Sequence, residues 1–260
     1  MNDLGSPLQI FARNTISLVL REMRSRFSEQ RLSYAWALIE PLGWITVLSL
    51  LFMVAGRDIP PVGSSFVLFF ATGLVPFTIY SQTAGAVLIA VQVNKPLLYF
   101  PVIKAIDTFV ARALLEVFTN ICVLIIIIAG YSFMYHGEMP DDWLDMLAPI
   151  ALLAIIGFNT GVINCVIIAH FKEWRQIWGV ISRPLFFLSG IFYTVDSFPP
   201  NVQAFLYWNP VLHCVEWLRS GYYKGYESQF VDPFFVSTLT IFGLFCALAM
   251  ERIYRRKILE

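Results

Sequence analysis

The chain has 260 residues, of which 58% are hydrophobic and only 14% charged, with 18 Lys and Arg against 18 Asp and Glu. A soluble domain of this size carries about 25% charged residues, so this composition excludes an ordinary soluble enzyme and describes an integral membrane protein. A net charge of zero gives no electrostatic reason for a nucleic-acid partner.

Taken in order, residues 10–31 read as an amphipathic helix, with Ile10, Phe11, Ile16, Leu18, Val19, Leu20, Met23 and Phe27 set against Arg13, Arg21, Arg24, Arg26 and Arg31. Such a helix is expected to lie on the inner leaflet with its arginines towards anionic head groups. Residues 1–34 are polar and basic and show no cleavable signal, so the first apolar span is expected to direct insertion. Six apolar spans are expected at about 34–55, 64–91, 108–135, 146–170, 177–195 and 233–250, each about long enough to cross a bilayer.

The connections differ in character. Residues 56–63 form a short turn with Arg57 and Asp58, and 136–145 form an acidic loop with Glu138, Asp141, Asp142 and Asp145. Residues 92–107 mix Asn94, Lys95 and Lys104 with Leu97, Leu98, Tyr99 and Phe100 between two prolines. Residues 171–176 carry Lys172, Glu173 and Arg175.

The stretch 196–232 is too aromatic for a plain connector. It opens on Pro199-Pro200, passes Phe205, Tyr207 and Trp208, breaks at Asn209-Pro210, and resumes with His213, Glu216, Trp217 and Arg219 before Tyr222, Tyr223 and Tyr226. Proline removes a donor and pushes its predecessor out of helical space, so two short amphipathic helices hinged at Asn209-Pro210 are expected. Their Trp and Tyr content places them at a membrane surface.

Charge sets the orientation. If both termini share a face with the loops after spans 2 and 4, that face holds every Lys and Arg except Arg57, Arg219 and Lys224. Half of the 18 acids fall on the other face. The positive-inside rule then puts both termini in the cytoplasm and the 196–232 stretch outside. The whole of 1–260 is expected to be one all-α transmembrane domain: an N-terminal interfacial helix over 1–33, six spans, and an exterior re-entrant hairpin before the last.

Motifs for chemistry are absent. There is no GxxxxGK[ST] phosphate loop and no GxSxG elbow, and His136, His170 and His213 fall in separate segments without zinc spacing. Cys122, Cys165 and Cys246 sit in apolar spans as small hydrophobes, and Cys214 falls in the exterior stretch. No catalytic residue and no metal site is expected. Polar residues inside spans are costly and therefore informative. Arg112 and Glu116 have i,i+4 spacing and are expected to pair. Gly157 and Gly161, with Asn159, Thr160 and Asn164, read as close helix packing with hydrogen-bond glue. Arg183-Pro184 interrupts span 5, where a kink is expected, with Arg183 either lining a pathway mouth or snorkelling to the cytoplasm.

The segment WNPVLHCVEWLR from Trp208 to Arg219, with IEP at Ile39–Pro41 and NKPLLYFPV at Asn94–Val102, resembles the membrane subunits of type-2 ABC exporters. The likeness is to the capsular and O-antigen polysaccharide permeases of the KpsM and Wzm type, and it covers nearly the whole chain. It implies a bacterial inner-membrane channel of two copies, with two copies of a separate ATPase that carries the ATP and Mg, since none binds on this chain. It implies a lipid-linked glycan as substrate and periplasmic or outer-membrane export proteins beyond. The resemblance makes Asn94, Lys95, Leu97, Leu98, Tyr99 and Phe100 the ATPase-coupling segment, with 171–176 as a secondary contact. It puts Trp44, Phe52, Arg183, Phe186, Phe187, Phe192 and Tyr193 on the substrate pathway, and Trp208, Asn209, Pro210, His213, Glu216, Trp217 and Arg219 in the exterior hairpin. An ABC permease for a lipid or drug is the alternative reading. A membrane-embedded transferase would have only Glu216 and His213 to work with, and an ion-driven transporter would show repeats that this chain lacks.

Overall fold

Inside a bilayer no water satisfies the backbone, so an apolar chain must close its hydrogen bonds locally and becomes helical. The computed structural model describes residues 6–28, 33–57, 59–100, 102–135 and 139–259, and among these it contains helices and no strand. The helices are α1 (Pro7–Ser28), α2 (Ser33–Val54), α3 (Phe66–Leu88), the single turn α4 (Ala90–Val93), α5 (Ala105–Tyr135), α6 (Trp143–His170), α7 (Trp174–Leu188), α8 (Pro200–Leu206), α9 (Pro210–Tyr222) and α10 (Pro233–Leu259). Expectations that fell on Arg31, Asp58, Pro101 and residues 136–138 lie outside the described residues.

Five helices, α2, α3, α5, α6 and α10, are long and apolar enough to cross a membrane. The fifth expected span, 177–195, does not form one continuous helix. Pro184 stays inside α7, and the chain breaks instead at Gly190, whose φ of 74° is open to glycine at little cost. At 15 residues, α7 is about 22 Å long, short of the roughly 30 Å of a hydrocarbon core.

α3 is the central post and packs on α6, α5 and α9, while α6 also carries α10. The α3–α6 contact is close because Gly157 and Gly161 leave no side chain in it. A Cβ on Gly157 would lie 2.6 Å from the Tyr80 carbonyl oxygen, and one on Gly161 would lie 2.8 Å from that of Ala84. Polar groups finish the packing as expected: Asn159 Nδ2 donates to the Thr240 carbonyl at 3.0 Å, and Trp174 Nε1 donates to Asn164 Oδ1 at 2.7 Å. Arg112 has a long-range partner that the i,i+4 rule does not supply. The Arg112 guanidinium crosses to Glu22 of α1 at 2.6 Å, because α1 lies along α5 and brings a buried carboxylate there.

Candidate functional site

The hairpin is built from its hinge. Asn209 Oδ1 accepts the Val211 N–H at 3.1 Å and so caps α9, with Pro210 in the first helical position where its missing N–H costs nothing. The Asn209 amide also donates to the Leu188 carbonyl at 3.0 Å, taking an acceptor that α7 leaves unsatisfied at its end. One side chain thus ties the start of α9 to the end of α7.

α9 does not lie at a surface, as its aromatic content suggested. It packs against α6 and α3, and His213, Glu216 and Arg219 are fully buried. Arg219 Nη1 meets Glu216 Oε1 at 3.3 Å and the Tyr193 carbonyl at 2.9 Å, while Nη2 reaches the carbonyls of Phe69 and Ile191 at 3.4 Å. The guanidinium also sits 4.2 Å from the centre of the Phe69 ring. Tyr226 donates to the other Glu216 oxygen at 2.6 Å. A buried charge needs such a set of partners, and here they join Glu216 and the Phe69 carbonyl of α3 to the carbonyls of Ile191 and Tyr193, which the break at Gly190 frees. The ion pair therefore clasps the broken end of α7 to α3.

Beside it, His213 Nδ1 accepts the Asp232 N–H at 3.2 Å and Nε2 donates to the Tyr207 carbonyl at 2.8 Å, with Phe230 stacked at 4.4 Å. The ring is a neutral structural link. Trp217 Nε1 donates to Asp145 at 2.8 Å, whereas Trp208 is exposed. Cys214, assigned to an exterior stretch, is buried in α9.

Below the clasp, a groove of about 590 Å³ opens between α2, α3, α5 and α7. Trp44, Arg183, Phe186, Phe187 and Phe192 all line it, joined by Phe77. Phe52 lies beyond its lining but continues the aromatic row through Phe70, at 5.1 Å, to Phe192, a further 6.4 Å away. Tyr193 does not join them. It turns to Phe198, at 4.8 Å, and serves the clasp through its carbonyl.

The groove runs into a polar pocket of about 440 Å³, the two sharing Ala37, Glu40, Gln82 and Asn120. Arg112, Glu116 and Thr119 complete the polar wall. Asn120 is held by Gln82 at 2.8 Å and by Thr78 at 2.9 Å, so its amide is fixed rather than free to turn. The site thus offers hydrogen-bonding groups at one end and flat apolar rings along its length.

The 94–100 segment lies at the end of the bundle that also holds α1. Tyr99 and Phe100 are exposed, as are Lys95 and Pro96, while Leu97 is half-buried. Asn94 and Leu98 face inwards: Asn94 accepts from Arg21 at 3.3 Å, and Leu98 packs against the core. α1 also holds the far end of the segment, through Asn14 Nδ2 to the Val102 carbonyl at 2.9 Å. The bracing by α1 was not visible in the sequence, since partners 73 and 88 residues apart leave no periodic signal.

The helical bundle thus carries a short helical hairpin before its last helix and an exposed segment between its second and third candidate spans. Residues 13–223 match the family described as ABC-2 type transporter, and the chain belongs to it. It is 33% identical over 239 residues to "Polysialic acid transport protein KpsM" of Escherichia coli, covering 91% of both chains. Over 234 residues it is 27% identical to "Capsule polysaccharide export inner-membrane protein CtrC" of Neisseria meningitidis serogroup B, covering 90% of this chain and 88% of the relative. To "Capsule polysaccharide export inner-membrane protein BexB" of Haemophilus influenzae the identity is 27% over 216 residues, covering 83% and 81%.

Proposed function

We propose that this chain is the membrane-spanning subunit of an ATP-driven exporter that moves a lipid-linked capsular polysaccharide across the inner membrane. The observation that carries the reading is the aromatic groove opening between α2 and α7 and continuous with a polar pocket. Sugar rings offer C–H faces that pack on aromatic rings and hydroxyls that need hydrogen-bond partners, and the two parts of this site supply both. No buried residue lies on α7, and α2 exposes Trp44, Val47, Leu50 and Leu51. Apolar faces of this extent suit a second copy, so that two grooves face one another across a homodimer.

In this reading the basic end is cytoplasmic, with both termini. α7 crosses most of the membrane from that side, and the α8–α9 hairpin re-enters from outside to complete the sixth passage. A separate ATPase, two copies to the dimer, holds ATP and Mg and docks on Lys95–Phe100, with Tyr99 and Phe100 as its exposed apolar contact. Periplasmic and outer-membrane proteins carry the polymer onward.

The test is deletion of the gene in its own host. Surface polysaccharide should vanish and lipid-linked polymer should accumulate inside, with both restored by the gene on a plasmid. Unchanged surface polysaccharide, together with loss of a lipid or drug export activity, would replace this reading with the other one.

A further inference from the structure

Two opposite charges line the aromatic groove, Glu40 on α2 and Arg183 on α7. Neither makes a hydrogen bond or an ion pair among the described residues. Arg112, the cation in the wall of the adjoining polar pocket, is already held by Glu22 at 2.6 Å. Ionised groups on membrane helices are costly and normally pair or reach water. Across a space walled largely by aromatic rings, opposite charges attract more strongly than they would in bulk water.

A second observation concerns the helices that bear them. Each charge stands immediately before a proline inside its helix, Glu40 before Pro41 and Arg183 before Pro184. These prolines remove the N–H groups that would bond the carbonyls of Ala37 and Val180, so each helix is softened at the level of its charge. The packing around both points suits a movement there. Beyond Pro41, α2 is fixed by the buried Ile45, Leu48 and Ser49, whereas none of residues 35–40 is buried. α7 is pinned at its two ends, by Trp174 to Asn164 and by the Leu188 carbonyl to Asn209, and has no fully buried residue between them.

We infer that Glu40 and Arg183 are the two halves of a latch on the groove. The start of α2 swings about Pro41, α7 bows at Pro184, and the side chains pair across the end where the groove meets the polar pocket, whose wall Glu40 shares. The structure holds the open form, with the two charges apart. Pairing closes the groove while no polymer occupies it, and each charge then neutralises the other as water leaves. The inference rests on the proposed function for what the groove carries, though the pairing itself does not. The opposed readings are that the two charges contact the polymer, or that they pair between two copies of the chain.

The experiment combines Glu40→Cys with Arg183→Cys and oxidises membranes from cells that make the whole exporter. The wild type, treated alike, controls for the four native cysteines. Mass spectrometry should find peptides linked between positions 40 and 183 in a band of monomer mobility, and the linkage should stop export until reductant is added. Absence of that linkage overturns the latch, and linkage confined to a band of dimer mobility overturns it in favour of a contact between copies. In a second arm, Glu40→Arg and Arg183→Glu each set like charges across the groove and should lower surface polysaccharide about tenfold at equal membrane levels. Combining the two reversals should restore about half of the wild-type amount or more. A combined variant no better than either reversal alone overturns the latch in favour of polymer contact. The linkage is read without any export, so it supports the latch even if deleting the gene leaves surface polysaccharide unchanged and the parent reading falls.

Discussion

α2 and α3 are neighbours in sequence, similar in length and both apolar, yet they end in opposite surroundings. The most apolar stretch of α3 is 78% buried and that of α2 only 17%, although α2 is the more hydrophobic. Hydropathy measures preference for any apolar medium and does not distinguish lipid from protein. What differs is surface texture. α3 presents small or hydroxyl groups such as Ala71, Thr72, Gly73, Thr83 and Ala84, which let α6 and α9 approach. α2 presents Trp44, Val47, Leu50 and Leu51 to open space, and no residue of α7 across the groove is fully buried. One side of the molecule is finished by its own chain, and the groove lies on the side that is not.

The sharpest way to break this comparison is to attack the finished side through its buried charge. Arg219→Ala leaves Glu216 buried without its ion-pair partner and should cost about 3–5 kcal/mol. The thermal unfolding of the purified protein in detergent should shift strongly downward, and little folded protein should reach the membrane. Swapping the two residues should recover only part of this, since the carbonyls of Phe69, Ile191 and Tyr193 are placed for a guanidinium. A stable Arg219→Ala protein would show that the clasp does not hold the hairpin.

Next in size is Gly161→Leu, which drives a side chain into the Ala84 carbonyl and Val87. Overpacking of this kind costs about 1–3 kcal/mol, read in the same unfolding assay. Gly43→Leu on α2, where a Cβ would meet nothing within 4 Å, should change stability by less than about 0.5 kcal/mol. Equal losses at the two glycines would erase the distinction between the sides.

Smaller still in stability, though not in function, is Tyr99→Asp. The ring is 78% exposed, so the folded bundle should be unchanged while ATPase co-purification is lost. Retained ATPase would remove the 94–100 segment from the docking surface.

Much of this arrangement could be read from sequence, for reasons that also mark where reading stopped. The long helices follow from apolar runs, and the hinge at Asn209-Pro210 follows from backbone chemistry local to two residues. Trp44, Arg183, Phe186, Phe187 and Phe192, which the resemblance grouped together, line one groove although they come from α2, α7 and the chain just beyond α7. The break in span 5 was placed at Pro184, six residues early. A proline in a membrane helix is tolerated when neighbours serve the freed carbonyl, whereas Gly190 adopts a backbone that ends the helix outright. Glu216 and Arg219 stand three residues apart, a spacing that allows a pair on a helix, but their complete burial depends on α3 and on the carbonyls of Ile191 and Tyr193, which no local pattern encodes. The same holds for Glu22 and Arg112, which only the docking of α1 brings together.

The central claim is that the groove on the open side carries a polysaccharide. Trp44→Ala combined with Phe187→Ala removes two rings that are 52% and 62% exposed, so folding and ATPase assembly should be unaffected. The direct measurement is surface polysaccharide together with the intracellular lipid-linked pool in cells carrying this double variant at wild-type membrane levels. The account predicts that surface polymer falls sharply while the internal pool rises. Normal surface polymer with no internal accumulation would contradict it.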